Sequence, residues 1–321
     1  MKRALVSLAF IATAICTVAQ NTQSAAKTGQ VTLKWLGTAG WEIGDGTTVI
    51  LIDPYLSRIN GPRPPGAGSA GTPVPGDTRK LYGWEDAVTP DVAVIDSHIQ
   101  RANFILVTHT HYDHVLDVPH IALKTHATVI GTESTVNVMR AYDVPEERLI
   151  TVRGGEDFEF GTFSLKVIPS IHSALDHKHY YSSETAPAGM KAPLTFRQMS
   201  PEGGTLAYLV RIGGHQILAF GGMNYIEREI AGLTPDVAMV GAAGSRKEIY
   251  DYCGRLMRAL QFPSLVLPTH WDNFFASYDE SQQPAIDAVQ SFVKEVRAAS
   301  PRTRVIVPKY FEAIPLESAE K

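Results

Sequence analysis

The chain has 321 residues, of which 44% are hydrophobic and 19% are charged, and its formal net charge is −4. This composition is typical of a globular protein with a sizeable core, and it excludes a basic surface of the kind that binds nucleic acid. Long runs of one charge are missing, which argues against electrostatic binding to a membrane surface.

The first residues have the pattern of an export signal. Lys2 and Arg3 precede the uncharged apolar stretch ALVSLAFIATAICTVA, and Thr17 and Ala19 supply small residues before a cleavage point. The apolar stretch is short for a full membrane span, although an uncleaved anchor is the alternative. We therefore predict a cleaved signal peptide at 1–19, no stable membrane span afterwards, and a periplasmic or extracellular location.

The rest of the chain reads as one domain. Residues 20–30 are polar and predict a flexible spacer, residues 31–312 predict a single domain, and 313–321 predict a tail. The segment 59–77 is rich in Pro and Gly, which helix and strand interiors exclude, so it predicts a long surface loop.

Strand-like segments occur in both halves of this domain. Those of the first half are VTLKWLG, GWEIG, TTVILID, FILVT and ATVIGT; those of the second are FEFGTFSLKVIPSIH, TLAYLVRIGGHQILAFGG, DVAMVG and SLVLPTH. Within TLAYLVRIGGHQILAF, the pair Gly213–Gly214 predicts the turn of a β-hairpin. STVNVMRAY and QPAIDAVQSFVKEVRAA predict helices. Near-continuous apolar strands need cover on both faces, so we predict an α/β fold with four layers, an αββα sandwich.

The segment HTHYDH follows the apolar strand FILV and crowds four polar side chains together: His109, His111, Asp113 and His114. Neutral imidazole and carboxylate are good ligands for zinc and similar ions. Ligands bind at the carboxyl ends of strands in open α/β sheets. The cluster therefore predicts a metal site, because a solvated histidine-rich loop would not need this position.

Three more residues stand at strand ends. His172 ends SLKVIPSIH and His270 ends SLVLPTH, so we predict that both join the metal cluster. Asp53 ends TTVILID before Pro54. A carboxylate in this position either accepts the second ring N–H of a ligating histidine or caps a turn, and both interpretations stay open.

The motif THTHYDH resembles the signature of the metallo-β-lactamase-fold superfamily. WLGTAGWEIGDGTTVILIDPYLS resembles the opening of the branch that contains ascorbate-6-phosphate lactonase and N-acylphosphatidylethanolamine phospholipase D. The resemblance implies an αββα sandwich with metals at one edge of the two sheets. It also implies two ligand sets, His109, His111 and His172 for the first metal and Asp113, His114 and His270 for the second.

One position departs from the family pattern. Gly222, in HQILAFGGMNYIERE, stands where the resemblance leads us to expect a bridging aspartate. A glycine has no side-chain ligand, so its presence predicts a weaker second site or a substitute carboxylate. Asp53, Asp96 and Asp176 are the candidates for that substitute.

The resemblance implies an exported metal-dependent hydrolase that uses metal-activated water on an ester, lactone or phosphodiester bond. Zn²⁺ is the expected cofactor, as one or two ions, while Mn²⁺ and Fe suit the same ligands. We predict Asp113 as the residue that orients the attacking water. His177 and His179 either assist the leaving group, line the substrate site or face solvent. We expect residues 180–200 to form a loop near the pocket, and the apolar content of this loop predicts a partly apolar small-molecule substrate.

A protein that binds a metal or a ligand without catalysis is the alternative function. It rests on Gly222, because the loss of an anionic bridge removes a group on which hydrolysis with two metals depends.

Overall fold

The fold is built from two seven-stranded sheets that pack face to face, with helices on the outer faces. The structure, a computed structural model, describes residues 29–63 and 76–317. This architecture confirms the predicted αββα sandwich. The predicted signal peptide, nearly all of the predicted spacer and most of the Pro- and Gly-rich loop lie outside the described residues.

The first sheet is antiparallel on one side and parallel on the other. Strand numbers follow the chain, and its members are β1 (Thr32–Gly37), β2 (Gly40–Gly44), β3 (Val49–Ile52), β4 (Phe104–Leu106), β5 (Thr128–Gly131), β6 (Leu149–Thr151) and β14 (Ala313–Pro315). Their order across the sheet is β14–β1–β2–β3–β4–β5–β6. Pairs from β14 to β3 are antiparallel, and pairs from β3 to β6 are parallel.

The second sheet repeats this division. Its strands are β7 (Asp157–Glu159), β8 (Phe163–Pro169), β9 (Leu206–Ile212), β10 (His215–Phe220), β11 (Val237–Gly241), β12 (Leu265–Thr269) and β13 (Arg304–Val305), and they lie side by side in the order β13 to β7. β7 to β10 are antiparallel, and β10 to β13 are parallel. β9 and β10 form the predicted hairpin, and Gly213 and Gly214 both have positive φ, as a tight two-residue turn requires.

Seven α-helices flank the sheets in the described part of the chain: α1 (Val92–His98), α2 (Tyr112–Val115), α3 (Val118–Thr125), α4 (Glu133–Ala141), α5 (Glu227–Ile230), α6 (Tyr252–Ala259) and α7 (Gln283–Ala299). α4 and α7 confirm the two helices expected from apolar periodicity. α7 buries Val289, Phe292 and Val296 against the second sheet, because these residues recur on one helical face. No helix in the described ranges is both long and apolar enough to cross a membrane.

Alternation along the strands assigns side chains to two cores. Ile50 and Ile52 of β3 point between the two sheets, whereas Leu51 between them packs under the helices of the first outer layer. In β4, likewise, Leu106 points between the two sheets and Ile105 points toward the outer helices. Successive side chains of a strand point to opposite faces, so the central strands β3 and β4 are buried on both sides.

The predicted end of the domain at residue 312 is too early. Ala313–Pro315 forms β14 and pairs with Thr32–Lys34 at the edge of the first sheet. The strand was missed because its short sequence AIP has too few residues for a period-2 pattern to be recognised.

A buried ion pair ties the loop after β12 to the first sheet. Asp272 accepts hydrogen bonds from Arg58 Nη1 at 2.8 Å and from the backbone N–H of Thr38 at 3.0 Å, and both charged side chains are at most 1% exposed. Thr38 in turn accepts from the backbone N–H of His270 at 2.7 Å. Burial opposes the charge of Arg58, but the nearby Asp272 carboxylate raises its pKa above the ordinary value. These bonds fix the backbone that carries His270, which has a left-handed φ of 54°.

Replacing Asp272 should therefore destabilise the whole fold. We expect Asp272→Ala to lower the free energy of unfolding by about 3–5 kcal/mol, because it leaves the Arg58 charge buried without a partner. Chemical denaturation followed by circular dichroism measures the change. Glu229→Ala is the matched control, since its partner Arg228 is 88% exposed and such surface pairs contribute little. Equal, small losses in the two variants would contradict the structural role of the buried pair.

Candidate metal centre

The predicted polar residues meet at one edge of the sandwich because the strands that precede them end there. Asp53 follows β3, the segment 108–114 follows β4, His172 follows β8, and His270 follows β12. All six predicted metal ligands are buried, with exposures between 1% and 8%. The structure thus brings together side chains from both sheets and from distant parts of the sequence.

Six side chains form two groups of three: His109, His111 and His172 in the first, and Asp113, His114 and His270 in the second. Within each group the candidate ligand atoms lie within 4.8 Å of one another. The second group is held by short contacts, since Asp113 Oδ2 lies 3.2 Å from His270 Nε2 and 3.5 Å from His114 Nε2. These are the same two sets that the resemblance implies.

Hydrogen bonds at the far side of the rings decide which nitrogen carries a lone pair. Asp53 Oδ2 accepts from Thr108 Oγ1 at 2.5 Å and from His114 Nδ1 at 2.8 Å. The one proton of the Thr108 hydroxyl is used in that bond, so His109 Nδ1, 3.1 Å from Thr108 Oγ1, must be the donor there. His109 and His114 therefore have Nε2 lone pairs when their rings are neutral. Asp53 acts as the acceptor behind these rings.

The third ring of the first group is oriented by the backbone. His172 Nδ1 lies 3.0 Å from the carbonyl oxygen of Ser173, and a carbonyl can only accept. Its lone pair is thus also on Nε2. Outer partners of this kind fix the tautomer and the orientation of metal-binding histidines.

Burial sets the charge state of the first group. Burial lowers the pKa of His109 and of His111 well below the ordinary value, and it lowers the pKa of His172 to about 4. These rings are neutral at neutral pH, which is the form that binds a metal. In the second group, burial alone would raise the pKa of Asp113 and lower the pKa of His114, which disfavours their charged forms. Nevertheless, the Asp53 charge raises the pKa of His114, and neighbouring histidines, His114 first, lower the pKa of Asp113.

The donor set fits a metal. In the described part of the chain, two ring nitrogens of the first group, His109 Nε2 and His111 Nε2, are buried without a hydrogen-bond partner. An unpaired buried polar atom costs about 1–3 kcal/mol, and each such atom in a folded protein calls for an explanation. Imidazole and carboxylate ligands from two adjacent groups suit zinc, manganese or iron.

The six side chains line one cavity, whose volume is about 630 Å³ when its open mouth is included. Sequence reasoning missed the other residues that line it: Tyr112, Ser173, Leu175, Tyr181, Gly221, Met223, Ala243, Ser245 and Phe274. Gly221 follows the end of β10 and Ala243 follows the end of β11, so their position after a predicted strand could have indicated that they line the site. Tyr181 belongs to the segment 180–200 expected near the pocket, and with its neighbours it gives the cavity a largely apolar wall.

Two predicted catalytic residues lie elsewhere. His177 and His179 are exposed, on and just after a short 3₁₀ turn, and neither lines the cavity. The structure therefore does not bring them together with Asp113, which does line it. Their assistance to a leaving group stays a prediction.

The two glycines after β10 differ in what surrounds them. A Cβ at Gly221 would lie within 3.0 Å of Thr108 and Asp53, whereas a Cβ at Gly222 would face Ser173 Oγ at 3.0 Å. Close packing against Thr108 thus excludes a side chain at Gly221. At Gly222 a side chain would fit if the Ser173 hydroxyl rotated away.

Of the three carboxylates predicted as substitutes at Gly222, Asp53 lies at the centre. It is already occupied by its bonds to Thr108 and His114. Asp96 instead contacts His120 and Lys124 on the helical layer. The side chain of Asp176 is outside the described part of the structure.

Comparisons with known proteins place this geometry in a family. The family model described as "Beta-lactamase superfamily domain" matches residues 48–271. A UPF0173 metal-dependent hydrolase of Myxococcus xanthus is 25% identical over 293 residues, which cover 91% of this chain and 85% of that protein.

Two solved structures have the same fold. Igni18, described as a metallo hydrolase of the archaeon Ignicoccus hospitalis, has a TM-score of 0.54 at 16% identity, covering 90% of this chain and 99% of its own. CmlA, a diiron β-hydroxylase of Streptomyces venezuelae, has a TM-score of 0.53 at 15% identity, covering 90% of this chain and 54% of its own. Together with the family match and the sandwich architecture, these likenesses show that the chain belongs to the metallo-β-lactamase superfamily.

Proposed function

We propose that this protein is a metal-dependent hydrolase of an ester, lactone or phosphodiester bond in a partly apolar small molecule. The observation that carries the proposal is the pair of three-residue groups, His109–His111–His172 and Asp113–His114–His270, on the wall of one cavity. In the first group, His109 Nε2 and His111 Nε2 make no hydrogen bond within the protein and are available to a metal. The M. xanthus relative is named a metal-dependent hydrolase, which supports the same class.

The first group would hold one ion and the second group another, with Zn²⁺ as the proposed metal. Bound there, such an ion supplies Lewis acidity and lowers the pKa of water. The description of CmlA as a diiron protein keeps iron as the alternative within the same fold.

The chain itself supplies a carboxylate that orients the water and an apolar surrounding for the substrate. Asp113 lines the cavity and stays ionised, because neighbouring histidines lower its pKa despite its burial. In this proposal its ionised oxygens orient the attacking water by accepting a hydrogen bond from it. Leu175, Met223 and Phe274 line the same cavity and exclude bulk water from an apolar part of the substrate.

We also propose that the protein is exported. The support is the N-terminal pattern of Lys2 and Arg3 followed by an uncharged apolar stretch and small residues up to Ala19.

Binding without catalysis is the second candidate. It is favoured by one observation, the glycine at 222 in place of a bridging carboxylate.

The hydrolase proposal predicts activity that depends on the metal and on its ligands. We expect the zinc-loaded protein to hydrolyse at least one of p-nitrophenyl butyrate, dihydrocoumarin and bis(p-nitrophenyl) phosphate. His109→Ala and His111→Ala should each reduce zinc content, measured by plasma mass spectrometry. Each should also reduce kcat/KM by at least about 100-fold, since even outer partners of a metal cost 10–100-fold when removed.

His98→Ala is the control, because it removes an exposed imidazole of α1 that does not line the cavity. Zinc content that is undiminished in both ligand variants would refute the assignment of the site. Tight zinc binding without turnover of any of the three compounds would favour the binding protein.

Gly222→Asp tests the missing bridge. The position has room for a Cβ if the Ser173 hydroxyl shifts, and the new carboxylate would add a negative charge next to Ser173, which follows the ligand candidate His172 in the chain. We expect the affinity for a second zinc ion to rise by about tenfold or more, as measured by competition with a chromophoric chelator. Gly222→Asn is the matched control, because it has the same shape without the charge. An equal affinity in the two variants would show that no bridging charge is missing.

A further inference from the structure

A second, shallower groove adjoins the metal cavity, and Tyr181 is the wall that the two share. Three aromatic side chains, Trp84, Tyr180 and Tyr181, line the groove together with the polar residues Ser182, Ser183, Glu184, Arg197 and Ser200. On one side the Tyr181 ring lies 5.3 Å from the ring of the metal-ligand candidate His111, at 77° to it. On the other side it lies 6.2 Å from the Trp84 ring, at only 25°. A molecule that leaves the cavity past Tyr181 therefore enters this groove.

The groove presents aromatic surface to solvent. Trp84 is 36% exposed and Tyr180 is 50% exposed, although both are large side chains that usually gain from burial. Aromatic side chains gathered in a concave site beside a reactive centre are typical of ligand recognition. Aromatic faces favour another ring, because paired rings gain about 0.5–1.5 kcal/mol beyond the burial of their area.

The groove is held in shape before any ligand binds. The backbone N–H of Arg197 donates to the carbonyl of Trp84 at 2.8 Å, which ties the two sides of the groove together. Phe196 packs its ring against the Trp84 ring at 5.4 Å in an edge-on arrangement. The Arg197 guanidinium lies 5.5 Å from the Trp84 ring centre and is paired with Glu85 at 2.6 Å. A preformed site binds with little loss of side-chain freedom.

We propose that this groove is a substrate subsite that takes an aryl group, so that the substrate is an aryl-bearing compound whose reacting bond lies in the metal cavity. The proposal rests on the proposed function for the reacting bond. The rim of the groove is polar, with Glu184, Arg197 and Ser200, which favours a ring that carries polar substituents over a long alkyl chain. Tyr181 separates the two parts and sets the spacing between the reacting group and the ring.

The test titrates the zinc-loaded protein, by calorimetry, with three hydroxamates that share one metal-binding group. They are acetohydroxamate, 3-phenylpropanohydroxamate and 3-cyclohexylpropanohydroxamate. We expect the phenyl compound to bind about 3- to 10-fold more tightly than both others, in line with the gain of an aromatic pair. Trp84→Ala and Tyr180→Ala should each remove this preference while leaving the affinity for acetohydroxamate unchanged. Tyr250→Ala is the control, because Tyr250 is 83% exposed and lies outside both the groove and the cavity.

Four outcomes overturn the subsite, and a fifth separates it from the hydrolase. Equal affinity for the phenyl and methyl compounds, or a phenyl preference that survives both groove variants, would show that the groove is not used. Equal affinity for phenyl and cyclohexyl would refute the aryl class. Failure to bind zinc or acetohydroxamate would overturn the metal centre together with the subsite. A phenyl preference in a protein that hydrolyses none of the ester, lactone and phosphodiester probes would leave the subsite standing and refute the hydrolase.

Discussion

The Asp53 carboxylate is the interaction on which the geometry of the centre depends. It is fully buried at the end of β3, and it accepts from the Thr108 backbone, from the Thr108 hydroxyl and from His114. Through Thr108 it also orients His109, so one anion fixes a ring in each of the two ligand groups. A buried carboxylate with three donors holds its neighbours in one arrangement, because any other leaves its charge unpaired.

The packing of two sheets makes this arrangement possible. The ligands from β4 belong to the first sheet, whereas His172 and His270 belong to the second. Neither sheet contributes all three residues of the first group, so that group forms only when the two sheets pack in this relative position. The Arg58–Asp272 pair helps to fix that position. Asp272 accepts a hydrogen bond from the Thr38 N–H, next to the first sheet, and the Thr38 carbonyl accepts one from the His270 N–H.

The sequence predicted correctly those features that depend on a few neighbouring residues. Apolar strands followed at once by His109, His172 or His270 can be recognised without a structure, because strand period and strand end both lie within a few residues. Contacts that depend on the path of the chain could not be predicted. Arg58 and Asp272 are 214 residues apart, and Trp84 meets Tyr181 only because two long loops come together. Short edge strands such as Ala313–Pro315 have too little pattern to be recognised.

Gly222 offers the centre no side-chain ligand at the end of β10. Without a carboxylate from this position, the second group has Asp113 as its one anionic ligand, and Asp53 is already bound to Thr108 and His114. The central claim is that the two groups nevertheless form adjoining metal sites. Anomalous diffraction at the zinc absorption edge, on crystals of the zinc-loaded protein, tests it. The account predicts one peak at coordination distance from His109, His111 and His172, with a second, of equal or lower occupancy, at the other group. Zinc bound elsewhere, or the absence of a peak at either group, would contradict it.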